Sequence, residues 1–377
     1  MKVSVLQENL AHGLNIVSRA VSPRSTLPVL ANVLVATDEG RLRLSATNLE
    51  LGITCWIGAK IEEDGSTTVP ARTFTDLVST LPNDRVNMSL NVRTQTLNVH
   101  CGASNTDIKC IDAQEFPPFP IPDMNSGIQL NVADLKEMIQ QVVFAASSDE
   151  ARPILTGIQM TLQGNHICME AADGFRLSIR KADLSSSVSK PIKAVIPARA
   201  LSELARIAGD GDQTITMIVP PGRGQVIFRM KDFELVSQLI EGTYPDLEQV
   251  IPRSFQTRTV ISTAAFLKAC KQAEIFAREG SHIARVQIKP GGEMEPGTVE
   301  ISGQSEETGS HQAVLDATIE GPPVLIAFNV RFLREVLDVI RTPNVSLETT
   351  ADTSPGVLRP VGENDFQHVI MPMHLGS

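Results

Sequence analysis

Aromatic side chains are scarce in this 377-residue chain, which holds one Trp, one Tyr and 13 Phe. A surface that stacks successive bases on aromatic rings is not built from so few. Basic charge is short as well: 33 Lys and Arg stand against 43 Asp and Glu, a net charge of −10. Generic phosphate binding needs cations that displace counterions, so contact with nucleic acid requires positive charge concentrated in one place. No apolar run reaches the roughly 18 residues that mark a membrane span. The start, MKVSVLQENLAHGL, lacks the long apolar core and small-residue cleavage site of a signal peptide. Cys55, Cys101, Cys110, Cys168 and Cys270 form no CxxC pair. That scatter argues for a reducing cytoplasm and buried thiols, not for disulfides or zinc.

Motifs that carry chemistry are also missing. The chain has no GxxxxGK[ST] loop, no GxGxxG after a strand, no HExxH and no GxSxG. PPGRGQV has glycines without a following Lys-Ser/Thr, and reads as a hairpin loop. Seven dispersed histidines show no metal-ligand spacing. Carboxylates at Asp149, Glu150 and Asp173 could in principle serve general acid–base work in a hydrolase. Asp173-Gly174 falls between strand patterns, however, where Asp-Gly is an ordinary turn. The reading is therefore of no cofactor, no metal and no catalytic residue.

What the chain does have is repetition. LAHGLNIVSRAV from Leu10, LKEMIQQVVFAA from Leu135 and LKACKQAEIFAR from Leu267 each carry one apolar helical face. Their starts lie 125 and 132 positions apart. PARTFTDLVSTLP from Pro70, PARALSELARIAG from Pro197 and NVRFLREVLDVIR from Asn329 follow at offsets of 127 and 132. LSATNLELGI from Leu44 returns as MEAADGFRLSI from Met169, again 125 positions on. Proline at a helix start costs little, since its missing N–H has no partner there. Between helices, RLRLSATNLEL, TLNVHCGA, AVIPA, QVIFRMK and TVEIS alternate apolar and polar residues as strands do. The pattern predicts an α+β fold of three repeated units, each with two helices packed on antiparallel sheets. The boundaries fall at 1–124, 125–252 and 253–377. Three unrelated α+β domains of similar size are the plainer alternative.

Charge follows the repeats. The six helical stretches sum to +4 and the rest of the chain to −14. The ending, QHVIMPMHLGS, is apolar and stiffened by Pro372 where chain ends are usually polar. It either packs as a last edge strand or lines a groove that something else fills.

The ordered set of these motifs, with FPPFP, TYPDLEQVIP, FNVRFLREVL and VIMPMHL, resembles the bacterial DNA polymerase III beta subunits, the sliding clamps. The resemblance runs from residue 1 to about residue 375, leaving Gly376-Ser377 outside it. It implies three DNA-clamp domains per chain and a head-to-tail homodimeric ring around duplex DNA, with helices lining the hole. It implies sequence-independent phosphate contacts at Arg24, Arg72, Arg199, Lys136, Lys268, Lys271, Arg206 and Arg331, with Arg334 on a helix stretch too. It also implies a groove for short linear peptides of replicative polymerase, clamp loader and repair proteins. The matching positions are Leu155, Gly157, Gly174, Arg176, Leu177, Pro245, Val250, Ile283, Asn329 and Phe332. The tail adds Val369, Ile370, Met371, Pro372 and Met373. Ala172, Phe175 and Gln249 depart from the residues common at those places. A triplicated interaction scaffold that never encircles DNA, and a hydrolase, are the other functional readings.

Overall fold

A computed structural model describes residues 1–22, 27–120, 123, 127–209, 211, 213–278, 282–292 and 295–374. Arg24 and the final Gly376-Ser377 lie outside the described residues. Six α-helices occur in the described chain: α1 (Gln7–Val17), α2 (Ala71–Thr80), α3 (Val132–Val142), α4 (Ala198–Ile207), α5 (Thr263–Ala277) and α6 (Val330–Val339). They fall where the repeated segments place them. In α1, Leu10, Gly13, Leu14 and Val17 are buried, and in α6, Val330, Leu333, Val336 and Leu337. Spacings of i, i+3, i+4, i+7 in α1 and i, i+3, i+6, i+7 in α6 each keep one stripe against a sheet. The Asn329 side chain caps α6 by accepting from the Arg331 N–H at 3.0 Å. Pro70 sits one step earlier than expected, as the cap of α2 before its first helical residue Ala71.

Two compact units are distinguished. One comprises Met1–Ala133 with Glu203–Leu239, the other Asp134–Ser202 with Ile240–Ser377. The first unit holds a five-stranded sheet whose outer member is Ser104–Lys109, beyond Thr96–Cys101. It also holds an eight-stranded sheet in which Phe233–Gln238 runs antiparallel to Leu51–Gly58. The second unit is built on one ten-stranded sheet. There Phe366–Ile370 runs antiparallel to the first residues of the long strand Arg176–Pro197. On its other side lies Gly356–Pro360.

The tail is thus a strand with neighbours on both sides, and the edge-strand alternative is overturned. Period-two alternation splits it. Val369 enters an apolar cluster with Leu177, Val195, Tyr244 and Leu247. Ile370 enters the opposite core, with Phe328, Phe366 and Leu333. Beyond the strand, the Met371 N–H bonds to the Phe175 carbonyl and the Met373 N–H to the Ala327 carbonyl, each at 2.8 Å.

The two registers are the same construction made twice. Gly52 faces Val236 in the first unit as Leu177 faces Val369 in the second. Both strands are entered by the same turn. Asn48 Oδ1 accepts from the Glu50 and Leu51 N–H groups, and Asp173 Oδ1 from those of Phe175 and Arg176. The turn needs a positive φ at its second residue, which is Gly174 at 94° and Leu49 at 76°. Glycine takes that conformation freely, whereas leucine is strained in it.

Candidate functional site

Arg176 is the centre of the tail region. Its residue is 8% exposed, so the charge must be matched inside. Nε donates to Asp173 Oδ2 at 3.0 Å, Nη1 to Glu335 Oε2 at 2.5 Å, and Nη2 to the Phe144 carbonyl at 2.6 Å. The guanidinium carbon lies 4.1 Å from the Phe332 ring centre and 5.5 Å from that of Phe144. Planar contact with rings and three separate acceptors suit arginine and no other cation. Burial alone would raise the Glu335 carboxyl, yet hydrogen bonds from Arg176 and Arg331 hold it below its ordinary value. Asp173, weighed above as an acid–base group, is instead occupied in the turn and the Arg176 clamp. Asp149 is likewise engaged with the Ala151 N–H and the Arg152 side chain.

Beside this network lies apolar surface. Leu155 and Ile154, half-buried, pack on Ala172, Leu177, Tyr244, Leu247 and Val369. Gly157 leaves no room for a side chain, because a Cβ there would fall 2.5 Å from Val195. Pro245 and Val250 are exposed, and Met371 is partly so. Ile283 pairs in register with Asn329. Phe175 projects into solvent, 62% exposed. Gln249 donates to Asp246 rather than outward. Of the expected groove positions, Gly157, Arg176, Leu177, Val369 and Ile370 are buried; Leu177 and Val369 lie in the cluster beneath Leu155, whereas Ile370 belongs to the opposite core.

His368 was not anticipated. It is fully buried, its Nδ1 is 2.6 Å from Ser178 Oγ, and its ring is 5.3 Å from that of Phe144. Burial first, and then the charge of Arg176, push its imidazole well below the ordinary histidine range. The folded chain therefore keeps His368 neutral while the unfolded chain titrates near 6.5. Below that pH the unfolded state binds the extra proton, so stability falls as pH drops, by up to about 1.4 kcal/mol per pH unit. Denaturant melts at pH 7 and pH 5 are expected to differ less for His368→Asn than for the natural chain. An equal loss in both would deny His368 this role.

The helix cations expected at DNA are mostly surface groups with acidic neighbours. Arg72 is almost wholly exposed, 3.8 Å from Asp76. Arg199 and Lys268 are exposed, and Lys136 is half-buried. Lys271 pairs with Asp338 at 2.9 Å, and Arg206 with Glu203 at 3.0 Å. Arg334 pairs with Glu274 at 2.6 Å. Arg331 bonds Glu335 at 2.8 Å, which ties it to the Arg176 network. Among the described residues no group of His, Cys, Asp and Glu has the geometry of a metal site.

Known proteins match this chain over its whole length. Three family models of the DNA polymerase III beta subunit match: the N-terminal domain at residues 1–120, the central domain at 129–246 and the C-terminal domain at 248–374. A beta sliding clamp from Synechococcus elongatus is 34% identical over 381 residues, covering 100% of both chains. One from Staphylococcus aureus is 31% identical over 382 residues, covering 99% of each. Among solved structures, the DNA polymerase sliding clamp of Bacillus subtilis superposes with a TM-score of 0.93 at 27% identity over 100% of both chains. The chain belongs to the DNA polymerase III beta subunit family, the bacterial sliding clamps.

Proposed function

We propose that two copies of this chain close head to tail into a ring around duplex DNA, each contributing three clamp domains at 1–124, 125–252 and 253–377. One observation carries the ring. The strands Phe233–Gln238 and Phe366–Ile370, which end the second and third repeats, each join the strand opened by the shared Asx turn. Ser104–Lys109 ends the first repeat in the same way, yet among the described strands it has only Thr96–Cys101 beside it. The corresponding acceptor is the strand Gly309–Glu320. Its residues before Ala317 pair with Gly297–Ser305 alone. A second copy supplies the missing neighbour for each.

Inside the ring, Arg24, Arg72, Arg199, Lys136, Lys268, Lys271, Arg206 and Arg331 meet phosphate. Phosphate contacts fix no sequence register, so DNA slides past them. Acidic partners such as Asp76, Asp338 and Glu203 soften each contact, and retention comes from closure instead of affinity. The surface around Leu155, Leu177, Phe332, Val369 and Met373 takes short apolar peptides of polymerase, clamp loader and repair proteins. Methionine suits such variety because its side chain is flexible and polarisable. The chain acts in the cytoplasm as a tether and performs no chemistry, and opening the ring falls to a separate ATP-driven loader.

The test is topological. Protein loaded on nicked circular DNA is expected to stay through a rise in salt from about 50 to 200 mM, a change that strips phosphate-bound proteins. It is expected to leave as soon as the circle is cut. Equal loss from circular and linear DNA would favour a scaffold that never encircles DNA.

A further inference from the structure

The groove in the second unit has a counterpart in the first, and there the position is filled. The repeats match residue for residue around it. Leu30 corresponds to Leu155, Val29 to Ile154, Phe116 to Tyr244 and Phe119 to Leu247. The sheet matches too: Ile227 faces Val236 as Val357 faces Val369. At the centre the residues differ. Leu177 carries its own side chain into the apolar cluster, whereas Gly52 has none. A Cβ at Gly52 would lie 2.4 Å from the edge of the Phe119 ring. That ring packs on Val29, Leu30 and Leu34 on one side and on Ile218, Ile227 and Val236 on the other. Phe116 stacks against it with ring centres 6.2 Å apart.

The burial of the walls differs accordingly. Leu155 and Ile154 remain half-exposed, while Leu30 is 2% and Val29 5% exposed. Pro117 and Pro118 before Phe119 and Pro120 after it stiffen the strap Phe116–Pro120, so holding Phe119 in place costs little chain entropy. We propose that this strap is a resident ligand: it occupies the first-unit counterpart of the groove, so each chain offers one site for apolar peptides instead of two. The proposal rests on the reading of the second-unit groove as a peptide site.

The probe is the strap itself, fluorescein-labelled acetyl-Phe-Pro-Pro-Phe-Pro-amide, titrated into the full-length chain and followed by anisotropy. Phe119→Ala is expected to bind it about ten-fold more tightly than the natural chain. The gain is expected to persist in Phe119→Ala/Met373→Ala, because Met373 belongs to the other groove. A folded Phe119→Ala chain with no gain overturns the proposal, as does a gain that Met373→Ala removes. Phe119→Leu copies Leu247 of the second repeat and serves if the alanine variant does not fold: a smaller gain supports the strap's role and none overturns it. Failure of the underlying groove reading shows separately, as probe binding by the natural chain that Met373→Ala leaves unchanged while the Phe119→Ala gain stands.

Discussion

Arg176→Ala is expected to lower unfolding stability by about 3–5 kcal/mol, the range for removing one partner of a buried ion pair. The loss arises from what is left behind. Asp173 and Glu335 are each less than a fifth exposed at their side chains, and both lose the cation that offsets their desolvation. The Phe144 carbonyl loses its donor, and the Phe332 and Phe144 rings lose the plane between them. Arg331 still serves Glu335, which limits the damage there. Arg176→Lys is expected to recover only part, since an ammonium cannot reach three diverging acceptors and lie flat on two rings. A cycle with Glu335→Gln isolates the pair and should return a coupling of about 1–3 kcal/mol. Peptide binding should fall with stability, because Arg176 fixes the position of Phe332 and the turn bearing Phe175. Denaturant melts and anisotropy with a polymerase-derived peptide check both. A change below about 1 kcal/mol would mean that water replaces the guanidinium, a surface-like outcome.

How far the sequence foretold this network depends on chain distance. The Asp173–Arg176 contact spans three residues and follows from the Asp-Gly turn. Glu335 is 159 positions from Arg176. Nothing local marks it, because on α6 it looks like any solvated acid paired at i+4 with Arg331. Helix faces were legible because a 3.6-residue period is a local property: Leu333, Val336 and Leu337 fall where the spacing puts them. The tail shows both cases at once. Alternation at Val369 and Ile370 identifies a strand, but its two neighbours are set by pairing with Arg176 and Gly356, far off in the chain. Hence an edge strand and an inner strand read alike. The strap is a third instance. Aligned repeats show Gly52 against Leu177, yet only coordinates reveal that Phe119 fills the difference.

Asp107→Pro is expected to turn a dimer into a monomer without unfolding the chain. Cys110 N–H returns to the Gln95 carbonyl at 2.9 Å, on the side of Thr96–Cys101. Alternation along an antiparallel strand then turns the N–H groups of Asn105, Asp107 and Lys109 away from that neighbour. Proline is tolerated on an edge strand where its missing N–H faced solvent. Within the isolated chain the substitution therefore removes no ladder bond. Against a second copy it removes the bond at 107, and its ring holds the incoming strand off the bonds at 105 and 109. Three bonds at about 1 kcal/mol each amount to about 3 kcal/mol, a weakening of more than 100-fold. Sedimentation should show a species of 40.8 kDa in place of one twice as heavy. The melting profile should keep the cooperativity of the natural chain, and retention on circular DNA should disappear with the dimer. Thr106→Pro is the control with the opposite geometry, because its N–H points inward to Thr96–Cys101, so it should damage the fold itself. An Asp107→Pro chain that stays dimeric would place ring closure on some other edge.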